Sequence, residues 1–169
     1  MRRKTGKGLF MTLVLMLLFS SICGAADLGV TVGKSMPQFT LTALDGSVVT
    51  VAPSDKVTVV NFWTTWCPPC RSEMPELNEY YLENRDNVAF YTINLRETEQ
   101  KVANFMQQNQ YSLPVLLDLN NEVGGQFRVQ YIPTTLVVDK AGIIQFRTSG
   151  AMTQAQLKEI VTALQAKEE

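Results

Sequence analysis

Histidine is absent from all 169 residues. That removes Ser/His and Cys/His nucleophilic dyads, HExxH zinc sites and haem attachment through CxxCH, since Arg71 stands where the last motif needs histidine. Any acid or base must therefore be a carboxylate, Lys, Tyr, Cys or water. Cysteine is scarce as well, with three in the chain, so the four ligands of a structural zinc site cannot be assembled from it alone. No run of basic residues lies beyond residue 7, and there is no internal repeat or low-complexity segment. What is present, 46% hydrophobic and 18% charged residues, is the profile of one globular domain. A chain of this size buries about 70% of its unfolded surface and needs no staple, which leaves the cysteines free for chemistry.

The first 26 residues have the pattern of an export signal. Arg2, Arg3, Lys4 and Lys7 precede an apolar stretch from Leu9 to Phe19 broken only by Thr12, and small residues follow up to Ala26. Cleavage after Ala26 is the expected outcome. Two alternatives stay open: an uncleaved anchor over residues 9–26, long enough to tether the protein to a membrane, and lipid modification at Cys23. Without residues 1–26, which carry four basic and no acidic residues, the formal charge moves from −1 to −5. An acidic exported domain argues against nucleic acid as a partner. It also retains only Cys67 and Cys70, in a compartment where disulfides persist.

Residues 27–36 are small or polar and predict a linker ahead of a domain spanning 37–169. Pro37–Leu44 and Ser47–Ala52 alternate around Asp45-Gly46, a hairpin signal. Lys56–Trp63 is a β-branched and aromatic run that predicts a strand buried on both faces, and Pro68–Asn84 carries Met74, Leu77, Tyr80 and Tyr81 at helical spacing. Pro75 should kink that helix. Val88–Leu95 then predicts a strand, Thr98–Gln108 a helix with Val102, Phe105 and Met106 on one face, Pro114–Leu119 a strand and Asn121–Gln130 a short helix or turn. Such alternation implies an α/β fold with parallel strands at its centre. Thr134–Asp139 and Ile143–Thr148 flank Lys140-Ala141-Gly142 as a second hairpin, which adds an antiparallel edge. A Thr153/Gln156 capping box opens the last helix.

The chemistry centres on Trp66-Cys67-Pro68-Pro69-Cys70, where a buried strand feeds a helix. Two intervening residues let both sulfurs lie on one helical turn, close enough for a disulfide. The unpaired N–H groups and positive dipole end of the helix stabilise a Cys67 thiolate, so Cys67 is the expected nucleophile and Cys70, one turn in, the resolving thiol. Pro68 and Pro69 are tolerated in a first turn, although they withhold two N–H groups from the Cys67 sulfur. A half zinc site and an inert disulfide are the competing readings, and a loop this short gains little from closure. Trp66 and Pro68 are expected on an exposed rim that a substrate covers, and Trp63 in the core. Glu73 lies three residues after Cys70 and so on its helix face. Glu76, Glu79 and Glu83 read as a solvated helix face. Thr64 suggests a peroxidatic Thr-x-x-Cys, but Val60 stands where that pattern has proline.

The run NFWTTWCPPCRSEMPEL, together with Tyr131-Ile132-Pro133-Thr134-Thr135, resembles the exported thioredoxin-fold reductases of the TlpA/ResA group over residues 35–165. The resemblance implies a thioredoxin-like fold: a central mixed sheet flanked by helices, with an N-terminal β-hairpin and an extra central βα segment. It implies a cis Ile132–Pro133 bond that turns the Ile132 backbone toward an extended substrate, making Ile132, Pro133 and Thr134 substrate-binding residues. It also implies that Glu73 tunes cysteine protonation, since the buried aspartate of thioredoxin itself is replaced here by Asn61. With Asn61 unable to take a proton, Glu73 is the carboxylate left to accept that of Cys70. The implied partners are disulfide-containing client proteins, apocytochrome c among them, and a membrane thiol electron donor, with no metal and no cofactor. A net oxidase or isomerase, and a thioredoxin-fold binding module without redox turnover, are the alternatives.

Overall fold

A computed structural model describes residues 30–167; the export segment and residues 27–29 lie outside the described residues. Among the described residues, seven strands and four helices follow in the order β1 (Phe39–Ala43), β2 (Val48–Val51), β3 (Val57–Trp63), α1 (Pro68–Asn84), β4 (Val88–Leu95), α2 (Glu99–Gln108), β5 (Val115–Asp118), α3 (Glu122–Gln126), β6 (Thr134–Val138), β7 (Ile144–Ser149) and α4 (Gln154–Gln165). The strands form one mixed sheet in the order β2-β1-β5-β4-β3-β6-β7. β3, β4 and β5 are parallel, while β6 runs antiparallel to β3 and β1 antiparallel to β5. This is the thioredoxin-like arrangement, with the hairpin β1–β2 added at one edge and β4, α2, β5 and α3 containing the extra central segment.

All seven residues of β3 are buried, as its β-branched run predicts for a strand covered on both faces. Alternate side chains enter separate apolar layers. Val57, Val59 and Trp63 join Met74, Leu77 and Tyr80 of α1, Val102 of α2, and Leu157 and Val161 of α4. Val60 and Phe62 join Ile93, Leu116, Leu136, Val123 of α3 and Phe127 on the other side. Two polar residues interrupt this apolar alternation in β3: Thr58, and Asn61, which is wholly buried and faces α1. α1 runs unbroken past Pro75.

The hairpin turn closes as Asp45-Gly46 requires: Gly46 has φ +84°, and Asp45 Oδ1 accepts from both the N–H and the hydroxyl of Ser47. At the C-terminal helix the capping box is complete, with Thr153 Oγ1 accepting from the Gln156 N–H and the Gln156 side chain accepting from the Thr153 N–H. Thr153→Ala should lower the unfolding free energy by about 1 kcal/mol, measured by urea denaturation.

Residues 30–36 depart from the expected linker. They dock on the sheet: Ser35 bridges Ile143, the Gly33 N–H donates to the Ile144 carbonyl, and the Met36 N–H donates to that of Gly142. Met36 and Val30 are buried, and the Arg147 guanidinium clamps the Val30 and Phe127 carbonyls at 3.0 and 2.9 Å. Residues 30–36 therefore pack with the domain rather than standing off from it as a linker.

Candidate active site

β3 ends at Trp63 in the core, and the chain turns through Thr64, Thr65 and Trp66 into α1. Cys67 is the N-cap of that helix, with extended φ −80° and ψ 115°. Its Sγ occupies the position of a capping side chain, accepting from the Cys70 N–H at 3.4 Å. Pro68 and Pro69 have no N–H to offer, so Cys70 makes this contact alone within the first turn. Cys67 and Cys70 are disulfide-bonded with Cα atoms 5.3 Å apart, the geometry that the CxxC spacing allows. Cys70 is wholly buried and Cys67 is 4% exposed, whereas neighbouring Trp66 is 63% exposed.

The loop before β6 covers the disulfide. The Ile132–Pro133 peptide is cis, and the Ile132 carbonyl oxygen lies 3.6 Å from Cys67 Sγ. In the disulfide that sulfur has no proton to give; the reduced thiol can donate to this carbonyl. The Gly150 N–H donates to the Pro133 carbonyl and ties the loop to the end of β7. Trp66, Pro68, Ile132 and Pro133 thus gather around Cys67, Trp66 and Pro68 exposed and Ile132 half-buried. Thr134 differs. Its side chain is fully buried, and its hydroxyl donates to the Tyr131 carbonyl at 2.6 Å, so it shapes the loop and has no free group on the rim. Tyr131, 72% exposed and adjacent to Ile132, is a rim residue that no sequence signal singles out.

Glu73 is buried against the sheet beneath the cysteines. Its Oε1 accepts from Asn61 Nδ2 at 2.8 Å and its Oε2 from the Met152 N–H at 2.9 Å. Burial pushes its pKa up from 4.5 to about 7, against the lowering effect of those two donors. A carboxyl that changes charge near neutrality can both take and return a proton. Asn61 Nδ2 also donates to Thr135 Oγ1 at 3.0 Å, joining Glu73 to the strand that follows Pro133, while Asn61 Oδ1 has no partner among the described residues. Glu76, read as part of a solvated face, accepts from the Gln154 N–H and so holds the start of α4 against α1.

The segment that carries this cysteine pair and the cis-proline loop is similar to known proteins. The profile of the AhpC/TSA family matches residues 32–147. The chain belongs to the AhpC/TSA family. Among relatives, the sporulation thiol-disulfide oxidoreductase A of Bacillus subtilis is 32% identical over 72% of this chain and 76% of its own length. The thiol-disulfide oxidoreductase ResA of Bacillus cereus is 34% identical over 75% of each. The crystal structure of StoA from Bacillus subtilis superposes with a TM-score of 0.66 and 31% identity, covering 73% of this chain and 95% of that one. Like these relatives, the chain is a protein thiol-disulfide oxidoreductase of ResA-like type on a thioredoxin fold.

Proposed function

We propose that the protein is an exported reductase of protein disulfides, with Cys67 as the attacking sulfur, Cys70 as the resolving one and Glu73 as the proton acceptor. The observation that carries this reading is the placing of Glu73, a buried carboxyl with a pKa of about 7, three residues along the helix from Cys70. In the reduced enzyme the Cys67 thiolate attacks a client disulfide; one client sulfur leaves as a thiolate, and a mixed disulfide forms. Cys70 then gives its proton to the Glu73 carboxylate and attacks the Cys67 sulfur. That step closes the Cys67–Cys70 disulfide and releases the client with both sulfurs reduced.

The client lies over the Trp66 and Pro68 rim and pairs with the backbone of Ile132 beside Pro133, while Thr134 holds that loop from within. Apocytochrome c with an oxidised CxxCH pair is one such client class. A membrane thiol donor restores the dithiol by the same exchange in reverse, and residues 9–26 direct the domain to, or tether it at, the outer face of the cytoplasmic membrane.

The reduction potential of the Cys67/Cys70 pair tests the direction. Equilibration of the purified protein against defined thiol buffers should give a value near that of thioredoxin, about −270 mV, or lower. A value near about −120 mV makes the protein an oxidant and overturns the reductase reading.

A further inference from the structure

Besides Glu73, the described residues hold a second buried carboxylate near the active-site loop, and no proton or sulfur transfer of the proposed exchange passes through it. Glu97 follows β4, where Arg96, at φ +57°, turns the chain in the left-handed region that non-glycine residues seldom occupy. The turn brings Glu97, 6% exposed, back against the loop that precedes the cysteines. Its Oε2 accepts from the Thr65 N–H at 2.6 Å and its Oε1 from the Thr65 hydroxyl at 2.7 Å. Asn94 Nδ2 donates to Oε2 at 2.9 Å, and Lys101 Nζ lies 2.6 Å from Oε1. Four donors on one carboxylate fill the positions an incoming proton would need. Burial works to raise its pKa, but Lys101, Thr65 and Asn94 together hold it below the ordinary carboxylate range. Glu97 is thus fixed as an anion and is no proton carrier.

We propose that Glu97 is a positioning residue for disulfide exchange, acting through Thr65 to set Trp66 and Cys67 for a protein client. Both donor groups of Thr65, its N–H and its hydroxyl, are held, and Thr65 lies one residue before exposed Trp66 and two before the Cys67 cap. A loop fixed there presents the rim and the sulfur together, as an extended substrate needs in order to pair beside Ile132. A small disulfide needs only the sulfur. The cation of Arg71 over the Phe105 ring at 5.9 Å is a separate tie between α1 and α2, so loss of the Glu97 contacts loosens the loop without freeing the helix.

The proposal rests on Cys67 being the attacking sulfur, and its test separates the two. Reduced full-length wild-type, Glu97→Gln and Thr65→Val proteins are compared for kcat/KM on insulin disulfides and for the rate of attack on dithiobis(nitrobenzoic acid). For Glu97→Gln the insulin value should fall about tenfold or more relative to the small-disulfide rate, as a misplaced reacting group implies. Thr65→Val removes one of the two loop donors and should show about a three- to fivefold fall in the same ratio, which decides the matter if Glu97→Gln does not fold. A ratio within about twofold of wild type in the folded variants overturns the proposal, because a role in stability alone lowers Tm and leaves the ratio unmoved. Insulin reduction that survives in Cys67→Ala overturns instead the assignment of the attacking sulfur.

Discussion

Cys67→Ala is expected to reduce insulin disulfides no faster than the uncatalysed background, whereas Cys70→Ala should accumulate a stable mixed disulfide with its client. The asymmetry cannot come from burial, since the two cysteines are 4% and 0% exposed. Position decides it. Cys67 Sγ sits at the helix end, beside the exposed Trp66 and 3.6 Å from the Ile132 carbonyl proposed as the pairing site of a client strand, whereas Cys70 lies a turn inside the same helix. The only N–H directed at Cys67 Sγ in the first turn belongs to Cys70 itself, at 3.4 Å. Replacing the Cys70 side chain keeps that backbone donor, so Cys70→Ala should retain an activated Cys67 while losing the thiol that releases the client. Non-reducing electrophoresis followed by mass analysis should place the client adduct on Cys67 and show its release by dithiothreitol. An adduct on Cys70 in Cys67→Ala, or none in Cys70→Ala, would reverse or remove the assigned roles.

The parts of this site that local pattern determines are legible in the sequence. α1 and β4 have the bounds Pro68–Asn84 and Val88–Leu95 that their apolar periods imply, and the cysteines fall at the N-terminus of α1 because Pro-Pro is compatible with a first helical turn and with little else in a helix. Contacts made across long sequence separations are not. Residues 30–36 look like a linker by composition, yet they are held by backbone pairing with Gly142–Ile144 and by Arg147, 117 residues from Val30, and neither feature has a local signature. Glu97 has no motif around it either. A clue does exist in its partner: Asn94 is the one carboxamide in the largely apolar β4, as Asn61 is in β3, and an amide buried in a strand must find a polar partner. Following each buried Asn outward leads to Glu97 from β4 and to Glu73 from β3. Thr134 illustrates the same limit: the resemblance implies a substrate-binding residue, whereas at the start of β6 its side chain is buried and its hydroxyl donates to the Tyr131 carbonyl, a contact with no local signature.

Glu73 should also make the fold itself less stable as the pH rises through neutrality. Its carboxyl has a folded pKa of about 7 against an ordinary 4.5, so the native state binds the proton more tightly than the unfolded chain does. Between those values the unfolded state holds fewer protons, and the unfolding free energy therefore falls with increasing pH. The contribution is fully present below pH 4.5 and lost as the pH passes through about 7. The change amounts to about 3 kcal/mol, because raising a pKa by one is worth about 1.36 kcal/mol of preference for the protonated form. Urea denaturation across this window should show the fall in wild type and a flat curve for Glu73→Gln, whose amide does not titrate. Parallel curves for the two proteins would mean that Glu73 is ionised at all these pH values and is unsuited to proton exchange near neutrality. The same titration shapes the chemistry in the opposite direction. In the proposed mechanism Cys70 passes its proton to the ionised carboxylate, so the resolution rate in single-turnover reduction should rise through about pH 7. Glu73→Gln should lose that limb while keeping the initial attack by Cys67, because the sulfur at the helix end does not depend on this carboxylate for its thiolate. On the proposed mechanism, stability and turnover make opposite demands on one buried group: the fold favours the protonated form, and resolution uses the ionised one. A pKa near neutrality leaves both forms populated, which is what a carboxyl needs in order to take a proton in one half of the cycle and return it in the other.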